Sequence, residues 1–347
     1  MKKIISTAIV AMVAALLLTL TGCSNRPEIS VANWGLFIYE PVLEMFEEEY
    51  GIRVIYSTYS TNEDLYTMMA SGGAEFDVVV PSDYMVERMI REGMLSPINW
   101  ENIPNASLIF PHLRYMAFDP QNRYSIPYKW GTFGIVYNTT KVTQPVYSWR
   151  LLWEEQFAGE IFMYNSSRCT MGAVQRMLGF SMNSTSQDEL NQVRDALIQQ
   201  APLVRAFLAD EIIDNMIGGE GALGTVYNGC ARWIIAYNPD HNFVVPVEGS
   251  QLWFNSMVIP ATTRNQEYAE KFINFMNRPD IAYLNTRYTR YSTANSGAFD
   301  MLPDYWQNCE IYWPSADILA RGEVFIDLGD FRGAFELAWT QVLLAGN

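Results

Sequence analysis

From residue 28 onward the chain alternates short apolar runs of two-residue period with longer stretches of helical period. "EISVANW" (28–34) predicts a strand, and Pro41, a residue favoured in a first helical turn, opens a helix with Val42, Leu43 and Phe46 on its apolar stripe. "IRVIYSTY" (52–59) alternates as a second strand. Thr61-Asn62-Glu63-Asp64 has the spacing of a capping box ahead of Leu65, Met68 and Met69, so a helix should follow until Gly72-Gly73. "FDVVV" (76–80) is the continuous apolar run of a strand covered on both faces. Val86, Met89 and Ile90 then repeat at helical spacing, and Gly93 stops them. Strands alternating with helices through short loops predict a parallel sheet with helices on both sides, an α/β class.

A second series begins near Trp130. "TFGIVYN" and "EIFMYN" read as strands, followed by helices around 171–180, 187–200 and 211–218 and by strands at "ALGTVYN" and "NFVVPV". "QLWFNSMVIP" (251–260) is strand-like, with Trp253 two places before the uncharged amide of Asn255. A helix over 267–277 buries Tyr268, Phe272, Ile273 and Met276, and Phe331, Phe335, Ala338, Val342 and Leu343 mark a last amphipathic helix. No internal repeat or low-complexity segment is evident.

The first residues add a location. Lys2 and Lys3, an apolar stretch from Ala8 to Leu20, and Leu20-Thr21-Gly22-Cys23 before a polar turn have the order of a bacterial export signal. The apolar core is too short for a membrane span. Small residues before a cysteine resemble the lipobox of bacterial lipoproteins, which implies a signal peptide over 1–22, cleavage ahead of Cys23, acylation of its thiol, and a tether over 23–28. No later segment is long and apolar enough to cross a bilayer.

Removing residues 1–22 takes two lysines and no acid, so a formal charge of -15 becomes -17. Such an excess argues against nucleic acid as a partner and is compatible with a cationic ligand. About 325 mature residues exceed what one core usually serves, so two domains are expected. Besides Cys23 there are Cys169, Cys230 and Cys309. Three thiols cannot all pair within one chain and none has a CxxC spacing; a Cys169–Cys230 bridge stays open.

Candidate catalysis is poorly supplied. His112 and His241 are the only imidazoles, each in a loop-like setting where a surface position is expected, and no GxSxG elbow or phosphate-cradling glycine loop is present. No metal site and no cofactor are expected. "EEEY" (47–50) reads as a solvated helix end. The aromatics stand out instead: Trp34, Phe37, Tyr84, Tyr227, Trp253 and Tyr291 fall at or just after predicted strand ends, where α/β sheets open their ligand crevices.

These residues carry a resemblance. "NWGLFIYEPVLEMFEEEYGIRVIYSTYSTNEDLYTMM", "FDVVVPSDYMVERMIREGML", "FDPQNRYSIPYKWGT", "SWRLLW" and "NFMNRPDIA" are similar to the polyamine-binding proteins of bacterial ABC importers, the spermidine/putrescine receptors, over essentially the whole mature chain. The resemblance implies a type II periplasmic-binding-protein fold: two α/β lobes, 29–129 plus 255–321 and 130–254 plus 322–347, hinged around an interlobe cleft. In that family aromatics sandwich the methylenes of an extended polyamine and carboxylates hold its ammonium groups, a division suited to cation–π attraction and charge-assisted hydrogen bonds.

By that match Trp34 and Phe37 are first-strand aromatics, Ser82 and Tyr84 loop contacts, Trp253 a sandwich wall and Tyr291 the last aromatic, while Tyr227 sits where tryptophan is usual. The carboxylates differ. Asn255 stands where the family places an aspartate, Asn165, Ser166 and Cys169 fill a stretch that normally offers acids, and Phe325 replaces a glutamine. Asp83 adjoins Ser82 at the same lip; Glu40, Asp214 and Glu248 are acids whose aim the sequence does not fix. A buried ammonium without a counter-charge is expensive. The resemblance therefore implies a monomeric, lipid-anchored receptor delivering a polyamine-like cation to ABC permease subunits, or a receptor retuned to a less charged or quaternary-ammonium guest, or a sensor subunit. An enzyme on the same scaffold is a further alternative.

Overall fold

The computed structural model describes residues 26–346. The export signal and Cys23 lie outside the described residues. The chain begins with β1 (Glu28–Trp34), α1 (Pro41–Tyr50), β2 (Arg53–Tyr59), α2 (Asn62–Ala70), β3 (Val78–Val79) and α3 (Asp83–Arg91). Local chemistry sets these bounds. Pro41 takes the first turn of α1, and Gly51 closes that helix in the left-handed region at φ 68°. At α2 the Thr61 Oγ1 accepts from the Asp64 N–H at 3.0 Å.

β4 (Ser125–Asn138) is longer than its sequence predicts, because Pro127 and Lys129 interrupt an otherwise apolar run that continues through them. Its first half pairs antiparallel with β9 (Leu252–Val258) and β10 (Ser292–Thr293). Its second half pairs antiparallel with β7 (Leu223–Tyr227) and β8 (His241–Val244). Next to β7 lie β5 (Ile161–Tyr164) and then β6 (Val204–Leu208), both parallel. The order β2-β1-β3-β9-β4-β7-β5-β6 is therefore mixed and not all parallel as expected. Parallel pairs survive at both ends, where helices make the crossovers, and the strands that carry the chain across the middle run antiparallel.

Helices α4 (Ser167–Met177), α5 (Gln187–Gln200), α6 (Glu211–Ile217) and α7 (Asn228–Tyr237) follow the strands of the second half. α8 (Gln266–Met276) and α9 (Pro279–Thr289) return to the first, and Pro279 takes the first turn of α9. Three short helices (Ser296–Asp300, Asp304–Gln307, Ala316–Arg321) precede α10 (Arg332–Ala345).

Two large apolar cores follow the two halves of the sheet. One joins Ile29, Phe46, Val78, Met257 and Phe272; the other joins Trp149, Val174, Leu197, Phe335 and Val342. A smaller cluster around Phe162, Met216 and Ile234 backs the second. Cys169, Cys230 and Cys309 are all free thiols, so the disulfide left open by the sequence does not form. His112 is exposed as expected, but His241 is buried at the first position of β8, because that strand's edge packs against β4.

Candidate ligand-binding site

Four of the six predicted aromatics, Phe37, Tyr227, Trp253 and Tyr291, converge where β4 and β9 pass between the halves, while Trp34 pairs with Tyr59 and Tyr84 with Phe325. Phe37 lies 4.9 Å from Tyr291 and 6.2 Å from Trp253, and Trp253 lies 5.3 Å from Tyr291 and 5.7 Å from Tyr227, ring centre to ring centre. These spacings are those of attractive edge and tilted pairs. Trp253, 4% exposed, occupies the second position of β9 opposite Gly131 and donates its indole N–H to the Thr132 carbonyl at 3.3 Å. Tyr291 lies against the first turn of α7 only because Gly229 lacks a side chain: a Cβ there would come within 2.3 Å of the ring. Phe133 and Tyr164, which the sequence gave no reason to choose over other strand aromatics, continue the cluster at 5.3 and 5.2 Å from Tyr227.

A polar knot adjoins the rings. Asn255, two residues beyond Trp253, faces Ser82 across an isolated bridge. With its amide turned to suit its neighbours, its nitrogen donates to the Ser82 Oγ at 3.1 Å and the Phe254 carbonyl at 3.1 Å, and its oxygen accepts from the Trp34 indole at 2.8 Å. Trp34 packs tilted on Tyr59 at 4.9 Å, and its indole N–H is shared between the Val80 carbonyl at 2.8 Å and this amide; no ring pair between Trp34 and Trp253 forms among the described residues. Ser82 holds the N-cap position of α3, yet its side chain makes no cap bond. Asp83 does not face the rings. Wholly buried, it accepts from the backbone N–H groups of Tyr84 at 2.8 Å and Phe254 at 3.1 Å. Desolvation raises its pKa to about 7, against the pull of those two amides.

The third patch is the first turn of α4. Ser166 caps the helix through the Cys169 N–H at 3.4 Å. The Cys169 sulfur lies 2.8 Å from the Tyr227 hydroxyl and donates to the Gln251 side chain at 3.4 Å. Burial pushes that thiol up to about 11 and the Cys230 thiol, 3.2 Å from the Tyr291 hydroxyl, up to about 12. Neither is a thiolate at neutral pH. Burial likewise holds the hydroxyls of Tyr84, Tyr227 and Tyr291 well above the usual tyrosine range. Arg168 follows Ser167 into the core, its guanidinium 4.3 Å from the ring centre of Phe325 and 5.8 Å from that of Tyr84. Tyr84 and Phe325 are themselves 6.5 Å apart.

Lys129, opposite Asn255 on β4, is a second buried cation that the pattern did not reveal. Glu40 and Asp214 are exposed, and Glu248 binds Ser148 and the Trp149 N–H. Among the described residues no cluster of histidine, cysteine and carboxylates has the makings of a metal site, and no helix is long and apolar enough to cross a membrane. The arrangement gathers apolar faces, amides and hydroxyls, and no nucleophile stands beside a base in it.

A family model described as bacterial extracellular solute-binding protein matches residues 42–311. The spermidine/putrescine-binding periplasmic protein of Escherichia coli K12 is 35% identical over 318 residues, 91% of each chain, and that of Salmonella typhimurium is 33% identical over 350 residues, the full length of both. The substrate-binding protein of the spermidine/putrescine ABC transporter of Streptococcus pneumoniae superposes with a TM-score of 0.82 at 35% identity, covering 92% of this chain and 100% of its own. The periplasmic-binding-protein fold is shared.

Proposed function

Because the chain belongs to the bacterial extracellular solute-binding proteins, we propose that it is the receptor of an ABC importer and captures a polyamine-related small organic cation between two lobes. It works outside the cytoplasm as a transport protein, and no bond of the solute is broken. The lobes are 29–129 with 255–321 and 130–254 with 322–347, and β4 and β9 lie at their hinge. The guest is gripped by Trp34, Phe37, Tyr84, Tyr227, Trp253 and Tyr291, with Ser82, Ser166, Cys169, Asn255 and Phe325 around it and Asp83 fixing the loop behind Ser82. Cys23 carries the lipid anchor, the receptor is monomeric, and permease subunits dock on its closed form.

The observation that carries this reading is that Trp253, in the 130–254 segment, packs at 5.3 Å on Tyr291 and at 6.2 Å on Phe37, which belong to the 255–321 and 29–129 segments. Rings from both sides of the sheet meet at one place, so a flat or cationic guest there touches both halves and favours closure. A second reading, a receptor retuned to one amine or a quaternary ammonium, is favoured by Asn255, Ser166 and Cys169, which present no carboxylate.

Thermal-shift screening of polyamines, choline-like compounds and amino acids tests the receptor. A ligand at one hundred times its Kd should stabilise by about 2.7 kcal/mol, and Trp253→Ala should abolish the shift. An undiminished shift in that variant would remove the slot from this location. For the anchor, Cys23→Ser should move the protein from the membrane fraction to the soluble one; unchanged partitioning would reject it.

A further inference from the structure

Arg168 is 8% exposed and stands at the second position of α4, yet its Nε and Nη1 have no partner. Only Nη2 is bound, to the Asn183 side chain at 3.1 Å and the Ile326 carbonyl at 3.3 Å. The nearest buried acids are engaged elsewhere. Asp83 accepts from two backbone amides, and Asp327 is held by Arg91 and Arg332. A buried guanidinium with two unused donors is costly unless something meets them. Its surroundings have the same polarity. Ser167 and Arg168 are the first two residues of an eleven-residue helix whose cap serves only the Cys169 N–H, so their amides are orphan donors at the positive end of the helix dipole. This turn touches the aromatic group at both ends, through Arg168 on Tyr84 and Phe325 and through Cys169 on Tyr227. Two acids stand at the outer rim, Glu63 on the Tyr84 hydroxyl at 3.1 Å and Glu336 on the Ser167 hydroxyl at 2.7 Å; both reach solvent, and partial desolvation of its carboxyl raises the pKa of Glu336.

We propose that the solute is a small amino carboxylate, its ammonium held by the rings around Trp253 and its carboxylate docked on Arg168 and the first turn of α4. This rests on the receptor reading above and replaces its cation with a zwitterion at the same site. With Nη2 engaged, the free Nε and Nη1 donors lie on different edges of the guanidinium, so a carboxylate oxygen takes a single charge-assisted bond from one of them, whereas an ammonium at the same turn would meet a cation and a helix N-terminus. The end of the slot has thus exchanged its charge preference, and neutral Ser166 and Cys169 allow that exchange.

Titration calorimetry of the full chain with ω-amino acids of three to six carbons, against α,ω-diamines of the same lengths, tests the proposal. At least one amino acid should bind tenfold or more tighter than the matching diamine, and Arg168→Gln should weaken it by thirtyfold or more. Ser166→Asp keeps a good N-cap and guards against a folding defect at Arg168: it should weaken the amino acid about tenfold and tighten the diamine. Tighter diamine binding by the native chain overturns the proposal and leaves the receptor standing. So does a folded Arg168→Gln chain that keeps its amino-acid affinity. Binding of neither series overturns the amino-carboxylate proposal and leaves the receptor reading to the wider thermal-shift screen.

Discussion

Lys129→Met should make the protein more stable, and the gain should depend on pH. Lys129 is 1% exposed, and its ammonium reaches only the Thr286 hydroxyl, at 3.4 Å, and the face of Tyr128, 5.2 Å from the ring centre. No ion pair to it forms among the described residues. Burial lowers its pKa from 10.5 to about 7. At about 1.4 kcal/mol per pH unit, holding this amine inside costs on the order of 5 kcal/mol. The sign follows from proton counting: between pH 7 and 10.5 the unfolded chain binds a proton that the folded one lacks, so stability rises with pH across that window. The penalty is full below about pH 7 and gone above 10.5. Methionine fills a similar shape without charge. Urea unfolding from pH 6 to 10 should show the variant several kcal/mol more stable at the acid end, with the gap closing toward pH 10. Asp83, whose raised pKa makes stability fall as pH rises from 3.8 toward 7, is common to both chains and cancels in the difference. A gap of constant size, or a less stable variant, would refute the reasoning.

Two other substitutions probe the site. Asn255→Asp should tighten spermidine about tenfold in calorimetry, because a carboxylate there gives an amine a charge-assisted bond; weaker binding would mean the position does not face an amine. Gly229→Ala should cost about 1 to 3 kcal/mol in urea unfolding and weaken any ligand held by Trp253, since the new methyl displaces the Tyr291 ring; an unperturbed ligand affinity would separate Tyr291 from the site.

Much of this was legible in the sequence wherever local chemistry decides the structure. The proline start of α1, the Thr61 cap and the apolar stripes of α3 and α8 need only neighbouring residues, and the ring positions were found because they follow strands. What escaped was set by distant contacts. β4 looked like a strand from Thr132 onward because Lys129 reads as a surface residue, and only the packing of β9 and α9 around it makes it interior. Arg168 has the same disguise, a basic residue on an amphipathic helix whose polar face turns inward. Asp83 stands in the first turn of α3, where the helix dipole suits an acid, but its burial depends on the Phe254 amide, far along the chain. Ser82 takes the N-cap position of α3 without the cap bond, because its hydroxyl is taken by Asn255.

The place of β9 between β3 and β4 bears on the order in which the molecule matures. A polypeptide threaded out from its amino end cannot finish the first half when residues 29–129 emerge, because the central strand of that half is still unsynthesised or untranslocated. Closing so long a loop is slow, and slowness here suits an extracellular solute-binding protein, whose first half stays thread-like until that strand arrives.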